Sequence, residues 1–264
     1  MAKRSIRSLK KMKQTGEKIS VLTAYDYSFA QVIDSQGIDI ILVGDSLGMV
    51  IQGHASTIPV TMEDMIYHSK IVSRACKNGF LITDLPFMSY TSPEQATENA
   101  ARLMQEGNAQ MVKLEGGSPQ VETVSQLSHH GVPVCAHLGL QPQSVHKIGG
   151  YLVQGREEKQ AKQMLDDAIA LQEAGADMLV LECVPVDLAK KLTDTLSIPT
   201  IGIGAGRSCD GQVLVLQDML GISEHAPKFA QNFLQNGRTI QQAIAAFNRA
   251  VKAGSFPSDE QCFF

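Results

Sequence analysis

Tryptophan is absent from the sequence, and aromatic residues make up only 5% of its 264 positions. A folded core must therefore be built from aliphatic side chains and methionine. Positive charge is not in excess either: the formal net charge is −4, which argues against the basic surface that nucleic-acid-binding proteins usually carry. Apolar runs of about 18 residues, long enough to cross a bilayer, are missing. With 44% hydrophobic residues, the composition is typical of a soluble globular protein and excludes extensive disorder.

Paired cysteine motifs are also missing. The sequence has five cysteines, an odd number with no C-x-x-C spacing, namely Cys76, Cys135, Cys183, Cys209 and Cys262. Several of them lie in apolar runs, where cysteine behaves as a small hydrophobic residue. We therefore expect buried, unreactive thiols and a reducing, cytoplasmic compartment rather than a disulfide framework.

The N-terminal segment is rich in lysine and arginine, which invites comparison with a targeting signal. It lacks the apolar region of about 7–15 residues that marks a signal peptide. We expect instead an amphipathic helix in which Ile6, Leu9 and Met12 face inward. The basic side chains of this helix are then expected to form a solvated face.

Short apolar runs alternate with helical patterns along the whole chain. The runs that we predict as strands are residues 20–24, 39–44, 80–84, 110–115, 132–137, 177–182, 200–204 and 212–216. Strands that are apolar on both faces and alternate with helices are typical of a parallel sheet covered by helices. No linker or low-complexity tract divides the sequence, so we expect residues 1–264 to form a single domain.

Two helix starts carry local signals. Ser92 precedes Pro93 and is followed by Gln95 at the third helical position, which is typical of a capping box. Ser118 and Pro119 repeat the Ser-Pro pattern. Both pairs predict that a helix begins at the proline.

The number of strand-helix units and the chain length match an α/β fold of the (β/α)8, or TIM-barrel, type. The seventh connection is the exception, because residues 205–211 are too few for a full helix. Residues 211–221 could themselves be helical, which would leave seven strands and an open, doubly wound sheet. The closed barrel is the favoured alternative.

Polar residues end several of the predicted strands. They are Asp45, Asp84, Lys113, Glu115, His137 and Glu182. Parallel strands of a barrel all point the same way, so these residues are expected at one mouth, where barrel enzymes carry their active sites. Side chains alternate along a strand, so Lys113 and Glu115 share one face.

Each of these residues also has a structural interpretation. A single aspartate at a strand end is often a helix N-cap, and a lone histidine such as His137 is often a hydrogen-bonded core residue. Several carboxylates at equivalent strand ends would repel one another unless a cation or Lys113 neutralised them. That repulsion favours a functional interpretation of the cluster.

The ligand chemistry at this mouth favours magnesium. Carboxylates are hard oxygen ligands, which suit Mg²⁺ better than zinc, and the sequence has no H-E-x-x-H motif. The glycine-rich residues 202–206 follow the seventh strand, where barrels often bind phosphate. Close approach of a ligand or of neighbouring backbone is the alternative interpretation of these glycines.

Longer motifs resemble a known family. The motifs are TAYDYSFA, LVGDSLGMVIQGHASTIPVT, DLPFMSY, MVKLEGG, PVCAHLGLQPQSV, LVLECVP and GIGAG followed by CDGQVLV. In this order they cover nearly the whole chain and resemble ketopantoate hydroxymethyltransferase. The resemblance implies a (β/α)8 barrel, commonly assembled as a decamer. It also implies transfer of a one-carbon unit from 5,10-methylenetetrahydrofolate to 3-methyl-2-oxobutanoate (α-ketoisovalerate), giving 2-dehydropantoate in the first committed step of pantothenate biosynthesis.

The resemblance further implies roles for individual residues. Asp45, Asp84 and Glu115 match the Mg²⁺ positions of the family. Asp45, Ser46, Asp84 and Lys113 match the positions that contact the keto acid. Departures from the family pattern occur elsewhere, at residues such as 55, 141 and 217.

The expected catalytic residues are Glu182, Lys113 and His137. Glu182 matches the general base of the family, which removes a proton from C3 of the keto acid to form a Mg²⁺-stabilised enolate. Lys113 adds a positive charge beside the developing oxyanion. His137 has the strand parity to face the site, where it would orient Glu182 or hydrogen-bond the product.

Two other functions share parts of this pattern. A Mg²⁺-dependent 2-oxo-acid carbon–carbon lyase or mutase on a related barrel would use the same aspartates but no folate. A regulatory barrel that binds a sugar or an acid would explain a polar pocket, but not the excess of carboxylates beside a lysine. Dependence of product formation on folate separates the first alternative from the transferase.

Overall fold

The computed structural model describes residues 3–264 and contains a closed barrel of parallel strands. The strands are β1 (Ile19–Thr23), β2 (Ile40–Val43), β3 (Phe80–Asp84), β4 (Met111–Glu115), β5 (Val134–Gly139), β6 (Met178–Glu182), β7 (Thr200–Ile203) and β8 (Gly211–Leu214). Each strand pairs with the next, and β8 returns to β1 with Val213 opposite Val21. The prediction of a (β/α)8 barrel is confirmed, and the open doubly wound sheet is excluded.

Helices follow most of the strands and cover the outside of the barrel. They are α1 (Ile6–Thr15), α2 (Tyr27–Ser35), α3 (Leu47–Val50), α4 (Met62–Ala75), α5 (Pro93–Gln105), α6 (Val121–His129), α7 (Val145–Ile148), α8 (Glu158–Glu173), α9 (Val186–Thr195), α10 (Leu216–Met219) and α11 (Ile240–Lys252). Within residues 3–264, none of these helices has the length and apolar character needed to span a membrane.

The seventh connection explains why closure was uncertain from the sequence. Residues 205–210 form a loop rather than a helix, and Asp210 links the two strands by accepting a hydrogen bond from the backbone N–H of Thr200 at 2.8 Å. Residues 211–221, for which both a strand and a helix were considered, contain one of each: Gly211–Leu214 is a strand and Leu216–Met219 is a short helix.

The two predicted helix starts differ in outcome. The hydroxyl of Ser92 accepts a hydrogen bond from the N–H of Gln95, as predicted, while the carboxamide of Gln95 bonds Thr91 instead of closing the capping box. At Ser118 and Pro119 a helical segment begins as predicted, but it starts as a 3-10 turn without a side-chain cap. A 3-10 turn (Ser118–Gln120) precedes α6, and the Ser118 hydroxyl bonds Asp167 rather than capping the helix. A tertiary partner thus replaced the local one.

The barrel interior is packed with aliphatic side chains from alternate strand positions. It is lined by Val21, Ile40, Leu42, Ile82, Lys113, Cys135, Met178, Val180, Ile201 and Val213. Lys113 and Cys135 therefore face inward, as the strand parity predicted. All five cysteines are buried as free thiols, which confirms the prediction that they are core residues.

Helix α1 lies across the amino-terminal end of the barrel. Leu9 is buried as predicted, but the expectation that the basic side chains are merely solvated was wrong. Lys10 pairs with Asp177 at 2.8 Å and Lys13 with Asp210 at 2.7 Å. Both aspartates immediately precede a strand of the barrel, so the charges of α1 anchor it to the strand ends opposite the predicted site.

Candidate active site

The carboxyl ends of β2, β3 and β4 bring four predicted site residues together at one mouth of the barrel. Asp84 and Glu115 are the last residues of their strands, and Asp45 follows β2 by two residues. Asp45, Asp84, Glu115 and Lys113 are each no more than 5% exposed. Burial of charged side chains on this scale requires strong local compensation.

Lys113 provides part of that compensation. Its ammonium Nζ lies 2.8 Å from Oδ1 of Asp84, a contact made possible because the register of β3 and β4 places the two residues opposite each other. Burial by itself lowers the pKa of Lys113, but the charges of Asp84, Glu115 and Asp45 outweigh it and raise the pKa. The lysine is therefore positively charged at neutral pH.

Asp45 lies where negative charge exceeds positive charge. Its backbone N–H donates to Oδ2 of Asp84 at 3.1 Å, and the charge of Asp84 acts on its carboxyl group. Burial, followed by the charges of Asp84 and Glu115, raises the pKa of Asp45 well above its ordinary value. One lysine does not neutralise this group, so the site favours an additional cation.

His137 lies between two carboxylates. Nε2 is 3.2 Å from Oε2 of Glu182 and Nδ1 is 3.6 Å from Oε1 of Glu115, and neither nitrogen makes a hydrogen bond in the part of the chain that the structure describes. Burial lowers the pKa of His137, but the contacts with Glu115 and Glu182 outweigh it and raise the pKa to about 9. The charges of the two flanking acids thus favour the protonated form of the imidazole.

Glu182 differs from the other acids in its access to solvent. Its side chain is 14% exposed, compared with 3% for Asp84 and 2% for Glu115. The next residue, Cys183, has a left-handed backbone with φ +49°, which is unusual outside glycine and is common at functional sites. Of the carboxylates at this mouth, Glu182 is the most open to a bound molecule.

Ser46 completes the set of predicted substrate contacts. Its hydroxyl lies 2.7 Å from the phenol oxygen of Tyr25, and burial raises the pKa of that phenol. The carbonyl of Tyr25 lies 2.6 Å from Nδ1 of His68. These contacts fix the Ser46 side chain at the edge of the carboxylate cluster.

Gln143 is a site residue that sequence reasoning missed. Its Nε2 donates to Oδ2 of Asp45 at 2.8 Å and to the carbonyl of Leu85 at 3.0 Å. Its backbone N–H donates to Oε2 of Glu115 at 3.1 Å, and its Oε1 accepts a hydrogen bond from Tyr90. No periodic pattern marks a loop glutamine, so the only signal was its place in the PVCAHLGLQPQSV motif.

The donor set fits a magnesium ion better than a zinc ion. Within residues 3–264, no group of three or more His, Cys, Asp or Glu side chains is arranged to hold a metal ion by itself. Mg²⁺ needs no such group, because it is usually bound by one or two carboxylates together with water and substrate oxygens. Asp45 and Asp84, whose charges act on each other, meet that requirement.

The glycine-rich turn at residues 202–206 has a packing role. A Cβ atom on Gly204 would lie 2.8 Å from the ring of Phe229, and one on Gly206 would lie 2.9 Å from Val186. Both glycines also have left-handed backbone conformations. Close approach of neighbouring side chains therefore explains the small residues at this turn.

Comparison with known proteins gives a consistent family match. A model of the family described as ketopantoate hydroxymethyltransferase matches residues 3–259. The chain is 59% identical over 258 residues to 3-methyl-2-oxobutanoate hydroxymethyltransferase from Nitrosococcus oceani, covering 97% of this chain and 98% of that protein. The enzyme of the same name from Halorhodospira halophila is 53% identical over 259 residues, with coverage of 98% and 94%.

Solved structures with the same fold are more distant in sequence. Phosphonopyruvate hydrolase in complex with oxalate and Mg²⁺ matches with a TM-score of 0.62 and 12% identity, covering 99% of this chain and 93% of that chain. 2,3-Dimethylmalate lyase, a member of the PEP mutase/isocitrate lyase superfamily, matches with a TM-score of 0.59 and 15% identity, covering 96% and 95%. At these identities the similarity establishes the fold alone.

Proposed function

The chain belongs to the ketopantoate hydroxymethyltransferase family, and we propose that the carboxylate cluster at its barrel mouth is the site of that reaction. The enzyme transfers a hydroxymethyl group to 3-methyl-2-oxobutanoate in the first committed step of pantothenate biosynthesis. The observation that carries the site assignment is the buried pair of Asp84 and Lys113 beside Asp45 and the more accessible Glu182. The one-carbon donor is 5,10-methylenetetrahydrofolate.

Asp45 and Asp84 would bind Mg²⁺ directly at this site, and Glu115, the third predicted metal residue, would contact it through bound water. When bound, Mg²⁺ supplies Lewis-acid chemistry at the keto and carboxylate oxygens of the substrate. The solved structure of phosphonopyruvate hydrolase, which has the same fold and contains oxalate and Mg²⁺, supports this proposal. Oxalate offers a metal two adjacent oxygen donors, as the keto and carboxylate groups of a 2-oxo acid do. The negative charge that raises the pKa of Asp45 also favours a divalent cation there.

Lys113 and Ser46 bind and orient the keto acid together with Asp45 and Asp84. The Lys113 ammonium is held in place by Asp84, so its positive charge is fixed before the substrate binds. A preorganised charge of this kind stabilises negative charge that develops on the keto oxygen. Ser46, fixed by Tyr25, offers a hydroxyl hydrogen bond at the edge of the same group.

Glu182 removes the proton from C3 of the keto acid. The proton passes to the Glu182 carboxylate, and the resulting carbanion forms a carbon–carbon bond with the methylene carbon of the folate. Both bonds from that carbon to folate nitrogens break, and water supplies the hydroxyl group that the carbon carries in the product. Of the two protons that the folate nitrogens take up, one comes from this water and the other is the C3 proton, which Glu182 gives up and so returns to its carboxylate form. His137, at 3.2 Å from Oε2 of Glu182, positions the base.

The cysteines argue against the lyase and mutase alternative. A lyase or mutase of this kind would need a reactive thiol in a mobile loop, but all five cysteines of this chain are buried. Here burial raises the pKa of both Cys76 and Cys135 to about 12, which leaves very little thiolate at neutral pH.

Assembly and compartment follow from the family and from the thiols. We infer a cytoplasmic homo-oligomer, decameric as is common in the family. The buried free cysteines suit a reducing compartment. Small molecules, namely a 2-oxo acid and a folate, are the expected partners.

Product formation followed by proton NMR tests the proposed function. The purified protein, treated with chelator and then supplied with Mg²⁺, is incubated with 3-methyl-2-oxobutanoate with and without 5,10-methylenetetrahydrofolate. We expect 2-dehydropantoate only when both Mg²⁺ and the folate are present. Consumption of the keto acid without folate would indicate a lyase, and full activity without any divalent cation would overturn the role of the metal.

A further inference from the structure

The loop between β5 and α8 crosses the mouth of the barrel and is tied down on both sides of it. At its start, Gln143 donates to Asp45 at 2.8 Å. Near its end, the backbone N–H of Gln154 donates to the carbonyl of Cys183 at 2.9 Å, one residue after Glu182. The loop therefore runs from the proposed keto-acid contacts to the proposed base.

Tyr151 lies in the middle of this loop and reaches the opposite side of the mouth. Its hydroxyl donates to Sδ of Met49 at 3.4 Å. Met49 belongs to the short helix α3, which begins directly after Ser46, and its N–H bonds the Ser46 carbonyl at 2.9 Å. Burial, together with the charges of Glu182 and Asp45, raises the pKa of the Tyr151 phenol, as expected for a side chain near both acids.

The Tyr151 ring is open to solvent even though it lies beside the site. Tyr151 is 51% exposed, and the adjacent Leu152 and Met49 are 53% and 37% exposed. Aromatic, aliphatic and thioether groups thus form an apolar surface next to a strongly charged pocket. Gly149 and Gly150 precede the tyrosine, and a Cβ atom on either would have nothing within 4 Å, so the space beside the loop is free.

We propose that the Tyr151 ring, flanked by Met49, is the surface against which the pteridine ring of the one-carbon donor stacks. This inference rests on the proposed function, because it names the place where the second substrate of that reaction binds. A pteridine is flat and has apolar faces, and such rings pack against aromatic rings and thioethers. The sequence has no tryptophan to do this.

The position of Tyr151 suits the chemistry of the transfer. Tyr151 contacts the helix that follows Ser46 and belongs to a loop that is tied beside Glu182, so a ring stacked on it lies near both groups. The stacked donor therefore lies beside the groups that bind and deprotonate the keto acid. A stacking surface at this point brings the two reacting carbons together without touching the keto-acid pocket.

Replacing the ring separates donor binding from keto-acid chemistry. In Tyr151→Leu, we expect the KM for 5,10-methylenetetrahydrofolate to rise and the affinity for tetrahydrofolate, measured by calorimetric titration, to fall about tenfold. Deuterium exchange at C3 of the keto acid, which needs no folate, should remain at the wild-type rate. Tyr151→Phe keeps the ring and should retain both folate parameters.

Tyr67 provides a matched control. It lies on α4 and is 65% exposed, and Tyr67→Leu should leave all three measurements unchanged. Unaltered tetrahydrofolate affinity in Tyr151→Leu would overturn the proposal. Loss of C3 exchange in Tyr151→Leu would also overturn the proposal, because it would place the tyrosine in the keto-acid step. A changed oligomer mass in light scattering would overturn it as well, because it would assign the ring to a subunit interface. Absence of C3 exchange in the wild-type protein, with tetrahydrofolate affinity still dependent on Tyr151, would reject the proposed function rather than the folate surface.

Discussion

Gln143 links the loop at the barrel mouth to the proposed metal ligands. Its side chain is only 4% exposed and bonds Asp45, Leu85 and Tyr90 at once. An amide can serve both a carboxylate and a phenol because it carries a donor and an acceptor. A residue of this kind fixes the orientation of a buried carboxylate before substrate or metal binds.

Gln143→Leu removes this link while keeping a side chain of similar size. The carboxylate of Asp45 loses its donor and the Tyr90 hydroxyl loses its acceptor, and an unsatisfied buried polar group costs about 1–3 kcal/mol. We expect the free energy of unfolding, measured by urea titration, to fall by about 2 kcal/mol or more. The Mg²⁺-dependent affinity for the keto acid should also weaken.

Gln141→Leu is the matched control, two residues earlier in the same loop. Gln141 is partly exposed and lines an outer groove rather than the carboxylate cluster. Equal unfolding midpoints for the two variants would contradict the proposed role of Gln143.

At the scale of single residues, the sequence predicts which chemical groups are present but not which of them meet. Asp84 and Lys113 were both recognisable at strand ends, yet their pairing depends on a strand register that places them opposite each other. The same holds for Glu115 and His137. Register is a property of the assembled sheet, and a shift of one residue would separate each pair.

At the scale of secondary-structure elements, the backbone at the end of β5 passes very close to the backbone at the end of β6. Gly139 has φ +94°, and a Cβ atom there would collide with the backbone carbonyl oxygen of Glu182 and with Val184. The same carbonyl accepts a hydrogen bond from the N–H of Leu140 at 2.8 Å. The absence of a side chain at Gly139 therefore lets the base reach its position on β6.

Gly139→Ala should displace the end of β6 and with it the Glu182 side chain. We expect a loss of transferase activity together with a lower melting temperature, measured by enzyme assay and thermal unfolding. Gly131→Ala is the control, because Gly131 also has a left-handed backbone (φ +79°) but nothing lies within 4 Å of its Cβ position. It carries only the conformational strain. Equal activities in the two variants would show that the close approach at Gly139 has no role in placing the base.

Helix α1 makes a different contribution, which concerns stability. Lys13 donates to Asp210 at 2.7 Å and to the carbonyl of Thr193 at 2.9 Å, from a side chain that is 12% exposed. Lys13→Met keeps the aliphatic stem and removes the charge, so we expect a loss of about 1–3 kcal/mol in the free energy of unfolding.

Lys190 provides a comparison, because an exposed ion pair should contribute little to the free energy of unfolding. It pairs with Asp194 along α9, and both side chains are more than half exposed, at 59% and 63%. We expect Lys190→Met to change the free energy of unfolding by no more than about 0.5 kcal/mol. If Lys190→Met lowered the free energy of unfolding as much as Lys13→Met does, the result would contradict the view that the charges of α1 have a special role in anchoring it to the barrel.

The elements themselves were largely predictable because each strand is a short apolar run between polar segments. The details that failed involve tertiary partners. Ser118 bonds Asp167 instead of capping a helix, and the lysines of α1 pair with aspartates far along the chain. No local pattern reveals a partner that is distant in sequence.

At the scale of the whole molecule, closure of the barrel explains why acidic residues from separate parts of the chain meet. All eight strands run parallel, so their carboxyl ends share one mouth, and the sequence predicts this collection as soon as the alternation is recognised. The sequence did not settle whether the seventh connection is followed by an eighth strand. That strand closes the barrel by pairing with β1, which lies near the opposite end of the chain, so no local pattern reveals the pairing.

The account as a whole claims that this mouth removes a proton from C3 of a keto acid and that Glu182 is the base. Deuterium exchange into 3-methyl-2-oxobutanoate, followed by proton NMR in D₂O with Mg²⁺ present, tests that claim directly. We predict exchange by the wild-type protein and by Glu173→Gln, an exposed control at the end of α8. Glu182→Gln should lose exchange while still binding the keto acid in a calorimetric titration. Exchange at the wild-type rate in Glu182→Gln would contradict the account.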